Sequence, residues 1–181
     1  MKNILILCGI FLLSGCATLT TEQCKVANWP EIGEKDGRNG YSNRIEKHQK
    51  ACAKINIIPD RKLYDQGYQK GLKSYCKPDI IFDRALEGNG GYRVCPSELH
   101  STLKPYHDVA NTYYQANVEK EKADKELDKY QDYLLDDKLS TEKRNEYIKI
   151  IRRLKQQKIR IDNDFNYAER ELRYFQRKHY L

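Results

Sequence analysis

The stretch KADKELDKYQDYLLDDKLSTEKRNEYIKIIRRL, residues 122–154, decides the fold. Its first part spaces Ala123, Leu127, Tyr130 and Leu134 alternately four and three residues apart, and its last part does the same with Tyr147, Ile151 and Leu154. This is the apolar seam of a coiled-coil helix. Between the two, Leu139-Ser140-Thr141-Glu142 reads as a turn and an N-cap, with Glu142 favourably placed near a helix N-terminus. Outward from the turn, one seam continues back through Lys120, Ala116, Tyr113 and Val109 to Tyr106. The other continues forward through Lys158, Ile161, Phe165, Ala168 and Leu172 to Phe175.

One fold-back point near Ser140 pairs every layer of the two seams. Leu134 meets Tyr147, Leu127 meets Leu154 and Tyr106 meets Phe175, while Lys120 and Lys158 fall opposite Ile161 and Ala123. Charge agrees with that pairing. Residues 106–139 carry five basic and nine acidic side chains (5 − 9 = −4), and residues 140–181 carry twelve and six (12 − 6 = +6). The reading is an antiparallel helical hairpin over 106–181, with arms of roughly 45 Å. Pairing between molecules into a larger bundle is the alternative left open.

Upstream, residues 24–105 carry the signs of a small helical head. Pro30 after Trp29 suits a first helical turn, and Asp60 after Pro59 suits an N-cap for a helix running to Cys76. Gly33, Gly37 and Gly40 in the first of these helices, and Gly67 and Gly71 in the second, recur at helical spacing. A glycine inside a helix costs about 1 kcal/mol relative to Ala, so glycines along one face imply close approach of another backbone. The segments around Gly33-x-x-x-Gly37 and Gly67-x-x-x-Gly71 share an offset of 34 residues (67 − 33), the mark of a degenerate internal repeat. Neither is apolar, which excludes a transmembrane GxxxG dimer. Gly88-Asn89-Gly90-Gly91 is a loop, and Pro105 is expected to interrupt or kink the helix that starts at Ser97.

The N-terminus has a different character. Lys2 precedes Ile4–Leu13, an apolar run of about ten residues, which fits a signal h-region and falls well short of the roughly 20 that span a bilayer. A buried globular helix is the competing reading, yet no other segment is comparably apolar. Leu13-Ser14-Gly15-Cys16 follows directly and resembles a bacterial lipobox, which implies cleavage of residues 1–15 and lipidation of Cys16. Ala17, where Asp favours inner-membrane retention in such lipoproteins, implies the outer membrane of a Gram-negative host. Residues 16–23 then form a lipidated tether, stable as an anchor when several acyl chains are attached.

Cleavage leaves 181 − 15 = 166 residues and four cysteines besides Cys16: Cys24, Cys52, Cys76 and Cys95. An even count in an oxidising compartment reads as two disulfides. Three pairings are open, and local loop closure favours Cys24–Cys52 with Cys76–Cys95. Zinc is rejected, since no C-x-x-C pair or finger-spaced His is present. The net charge of +7 falls to +6 once Lys2 is lost. It suits anionic lipid, lipopolysaccharide or cell-wall polymer, but it is spread as on an ordinary solvated surface. The compartment argues against nucleic acid.

A search for chemistry yields little. Asp36-Gly37-Arg38-Asn39-Gly40 with Glu46 has the outline of a calcium loop, but its first ligand would be Lys35. The glycines at 88–91 lack a preceding strand and the spacing of a phosphate loop. His48, His100, His107 and His179 form no metal motif and read as surface or internally satisfied residues. No nucleophile signature is present. The tyrosines could stack on sugars, but several lie on the seam, where core packing accounts for them.

Trp29, Gly33, Asp36-Gly37, Gly40 and Cys52, the block Tyr64-x-x-Gly67-x-x-x-Gly71-Leu72-x-x-Tyr75-Cys76, and Gly88, Tyr92 and Cys95-Pro96 together resemble a family of proteobacterial envelope lipoproteins, domain of unknown function 2799. Val109 stands where that pattern leads us to expect a glycine. The resemblance brings no activity, cofactor or metal. The expected role is therefore a non-enzymatic, membrane-anchored one in which the hairpin meets an envelope protein. Binding of anionic glycan or lipid is second, and catalysis a distant third.

Overall fold

The computed structural model describes residues 18–181. Among them are seven α-helices, three short 3-10 turns and no strand. The chain is thus mainly α, a disulfide-stapled helical head followed by a long antiparallel hairpin. Cys16 and the stretch 1–15 lie outside the described residues.

Helix α1 (Thr21–Lys25) opens the head under a capping box, Thr20 accepting from the Gln23 amide while the Gln23 side chain takes the Thr20 amide. The segment read as tether is therefore folded at its C-terminal end, and Leu19 already packs on the first core. Helix α2 (Trp29–Arg38) begins with Pro30 in its first turn. Helix α3 (Ile45–Cys52) follows a loop, and α4 (Arg61–Tyr75) starts on Asp60, whose carboxylate accepts from the Leu63 amide at 2.9 Å. Gly40 does not belong to α2: the helix ends at Arg38, and Gly40 has φ +67°, a left-handed value that suits glycine just past a helix end.

Helices α2 and α4 run parallel with their backbones in contact. A Cβ on Gly33 would lie 2.1 Å from the Tyr64 carbonyl oxygen, and one on Gly67 would lie 1.8 Å from that of Pro30. Gly37 faces the Tyr68 carbonyl and Gly71 that of Glu34 in the same way. These contacts are reciprocal under the 34-residue offset: Gly33 meets Tyr64, the counterpart of Pro30, and Gly67 meets Pro30 itself. The repeat is thus a pair of equivalent helices packed face to face by their small residues.

Cys24–Cys52 ties α1 to α3, and Cys76–Cys95 ties the end of α4 to the segment before α6, across separations of 28 and 19 residues. In the loop-entropy account each stabilises by roughly 3 kcal/mol. The first core gathers Trp29, Ile45, Tyr64, Tyr68 and Leu72 around Cys24 and Cys52. The second gathers Tyr75, Ile81, Tyr92 and Leu103 around Cys95.

Helix α5 (Pro78–Leu86) leads to the root of the hairpin, where Phe82 and Ala85 pack on Ala110 of α6 (His100–Tyr133) and Leu172 of α7 (Thr141–His179). Val109 packs against the same cluster. Pro105 does not interrupt α6. It sits in the second turn, where it removes one hydrogen bond. Buried Leu103 on one side and Tyr106, edge-on to Phe175 at 5.0 Å, on the other hold the helix through that gap. The hairpin's first helix therefore starts six residues before Tyr106, inside the head.

Seam contacts fall at or within one layer of the pairing read from the sequence: Tyr106 on Phe175 at 5.0 Å, Tyr113 on Phe165 at 5.6 Å and Tyr130 on Tyr147 at 5.5 Å. Ser140 caps α7 by accepting from the Lys143 amide. Arg144 reaches back to donate to the carbonyls of Leu134 and Asp136, closing the turn. The opposite charges of the two helices meet directly at one point among the described residues. Asp124 receives Lys158 across the seam at 2.5 Å and Lys120 along α6 at 3.4 Å, while Lys158 also reaches Asp162 at 3.0 Å. The Lys158 ammonium beside Asp124 holds that carboxyl below its usual value. Both seam lysines thus find a carboxylate, so neither charge is left in the seam without a partner.

Gly67→Ala should destabilise the chain by about 1–3 kcal/mol, despite a gain of about 1 kcal/mol in helix propensity. Gly91→Ala, where a Cβ meets nothing within 4 Å, should be close to neutral. Urea unfolding followed by circular dichroism reads both.

Candidate functional site

The α2–α4 contact fixes what lies beside it. Asp36 sits between Gly33 and Gly37 on the buried part of α2, Tyr64 lies on the facing side of α4, and α3 brings His48 to both. Asp36 Oδ2 accepts from the Tyr64 hydroxyl at 2.8 Å and lies 2.8 Å from His48 Nε2. The Tyr64 oxygen in turn accepts the Arg44 amide at 3.0 Å. His48 is 2% exposed, and its ring meets Tyr64 edge-on at 5.6 Å. Burial, reinforced by the Asp36 carboxylate, pushes the Tyr64 phenol far above its ordinary value. It also raises Tyr68, which donates to the Tyr41 carbonyl at 2.7 Å. Tyr64 is a donor to Asp36, not a titrating group.

His48 Nε2 faces Asp36, and Nδ1 lies on the other side of the ring. Nδ1 is buried and has no hydrogen-bond partner among the described residues, and the same holds for Thr18 Oγ1. A buried polar atom without a partner costs about 1–3 kcal/mol. Both residues line one cavity of about 460 Å³, together with Leu19, Val26, Lys35 and Arg44. The Arg44 guanidinium lies 3.4 Å from the centre of the Tyr41 ring, which also faces this cavity. Among the described residues no ion pair engages Lys35 or Arg44.

The residues singled out from the sequence fall into place as follows. Cys24, Cys52, Cys76 and Cys95 form the two disulfides, and Gly33, Gly37, Gly67 and Gly71 form the helix contact. The glycines at 88–91 make a turn around tyrosines: Gly88 and Gly90 have φ +71° and +72°, and the Gly91 amide donates to the Tyr75 hydroxyl at 3.0 Å. His100 contacts the Cys95 carbonyl at 2.8 Å, His107 contacts Asp108 at 3.0 Å, and His179 pairs with the Tyr106 hydroxyl at 2.9 Å. Among the described residues no group of three His, Cys, Asp or Glu side chains could hold a metal ion. No helix among them is long and apolar enough to cross a membrane. The Asp36–His48–Tyr64 network escapes sequence reading. Its one trace is an acidic residue between two glycines on a buried helix face.

These features match a known family. Residues 28–112, which hold α2 to α5, the glycine contact and Cys52, Cys76 and Cys95, match the family described as protein of unknown function DUF2799. No curated protein and no solved structure matches the chain.

Tyr64→Phe should lower stability by about 1–3 kcal/mol, because it leaves the Arg44 amide without its acceptor and Asp36 without one donor. Thermal unfolding checks this, and a change within error of zero would show that the network is not formed.

Proposed function

We propose that this protein is a non-enzymatic lipoprotein of the bacterial envelope, anchored through lipid on Cys16 and presenting the α6–α7 hairpin to an envelope protein. The observation that carries the reading is the hairpin beyond its root. Its head contacts are made by side chains up to Tyr114 on α6 and from Leu172 onward on α7, through Gly88 and the Phe82–Ala85 cluster. The remainder of α6, about nineteen residues, reaches roughly 28 Å further. There Leu135, 77% exposed, marks the turn, and Ile159 and Tyr167 lie open on α7. Such a two-helix arm offers exposed apolar side chains for a partner. The Leu13-Ser14-Gly15-Cys16 pattern and Ala17 support an outer-membrane address.

A second reading, a binder of anionic glycan or lipid, is favoured by Lys35 and Arg44 beside the head cavity. A photoactivatable residue placed at Leu135 in living cells tests the first. We expect one recurrent envelope protein to be crosslinked there and not from an equivalent residue at Ile58 on the head. No protein adduct, or the same adducts from both positions, would count against the arm. Cys16→Ala should abolish membrane attachment through a carbonate wash; retention would overturn the anchor.

A further inference from the structure

We propose that the cavity beside Thr18 binds the phosphate headgroup of a membrane lipid, of the class whose headgroup also carries free hydroxyls, such as phosphatidylglycerol. This rests on the reading of Cys16 as the lipid-bearing residue and names the ligand of the second reading above.

The constraint is one of chain length. Thr18 is two residues after Cys16, and an extended chain advances no more than about 3.5 Å per residue. Thr18 lines the cavity, while Leu19 is packed into the first core and Thr20 caps α1. A lipid on Cys16 therefore brings this part of the head within about 7 Å of the acylated cysteine, and the cavity comes to lie at the lipid headgroups. Val26, 82% exposed, stands on its lining.

The chemistry of the lining selects the ligand. The charged groups of the lining are the cations Lys35 and Arg44 and the carboxylates Glu31 and Asp36; neither cation forms an ion pair among the described residues, so both are open to the oxygens of a phosphodiester. The Asp36 carboxylate is directed at His48 and Tyr64 and makes no ion pair with Lys35 or Arg44 among the described residues. His48 Nδ1 and Thr18 Oγ1 are buried without partners among the described residues. A hydroxylated headgroup offers these two atoms both donors and acceptors, whereas a phosphodiester alone offers only acceptors. Soluble glycerol phosphate has the same chemistry. The short link to Cys16 commits the proposal to the membrane as the source.

The test uses the full chain made in cells, with a photoactivatable residue at Val26, purified in detergent. It is mixed with vesicles of phosphatidylcholine alone or of phosphatidylcholine containing phosphatidylglycerol. Photolysis should give an adduct of phosphatidylglycerol mass in roughly tenfold excess over phosphatidylcholine, a preference of about 1.4 kcal/mol. The same probe at Tyr167 should show no such preference. Lys35→Gln with Arg44→Gln should abolish the preference, and exposed Lys35→Gln alone should reduce it, which keeps the test decisive if the double variant does not fold. Competition by soluble glycerol phosphate would support the headgroup chemistry but overturn the membrane as its required source if it matched the lipid in potency. Equal labelling by both lipids, or a preference untouched by the substitutions, would overturn the site. The acyl state of Cys16 is read from the same mass spectrum: an unmodified Cys16 sinks the anchor on its own, and the lipid adduct still judges the cavity.

Discussion

Four glycines on two parallel helices let the backbones of α2 and α4 touch, and the head is arranged around that contact. Any side chain at Gly33, Gly37, Gly67 or Gly71 would stand within 2.3 Å of a facing carbonyl oxygen. In a membrane, small residues of this kind pack helices without a hydrophobic drive. Here the helices are polar on their outer faces, and the contact is locked from the sides. Tyr64, Tyr68 and Leu72 pack with Trp29 and Ile45, and Lys70 pairs with Glu34 across the two helices. The two disulfides fasten what precedes and follows the pair.

That contact has consequences at a distance. By holding Asp36 against Tyr64 it creates a buried acceptor that draws in His48 and, with it, α3. By setting the course of α4 it places Tyr75 to grip Gly91, and so directs the chain through α5 and Cys95 to the start of α6. The hairpin then needs little further instruction, because its register is written into its own seam.

How much of this was legible follows from the range of each interaction. The seam from Tyr106 to Phe175 repeats over many turns, so its pairing could be read, and the structure keeps it to within one layer. The glycine faces could be read because several unfavourable residues on one helix face demand a reason. Gly40 and Pro105 were misread from local rules: a glycine at helical spacing past Arg38 is a terminator, and tertiary contacts at Leu103 and Tyr106 carry α6 across its proline. The Asp36–His48–Tyr64 network was hidden because its members lie on three helices, 12 and 28 residues apart. The one trace of that meeting in the spacing is Asp36, an acid between two glycines on a buried helix face. The residues lining the cavity come from α1, α2, α3 and the segments beside them, for the same reason.

The most direct test of the glycine contact is an NMR measurement on the folded, oxidised protein. The reciprocal packing predicts nuclear Overhauser cross-peaks from the Gly33 α-protons to Tyr64 and Tyr68 and, equally, from the Gly67 α-protons to Pro30. Both sets should be strong, since the backbones are in van der Waals contact. Absence of either set, with α2 and α4 still helical, would mean that the two helices do not pack through their glycines and would contradict the account of the head.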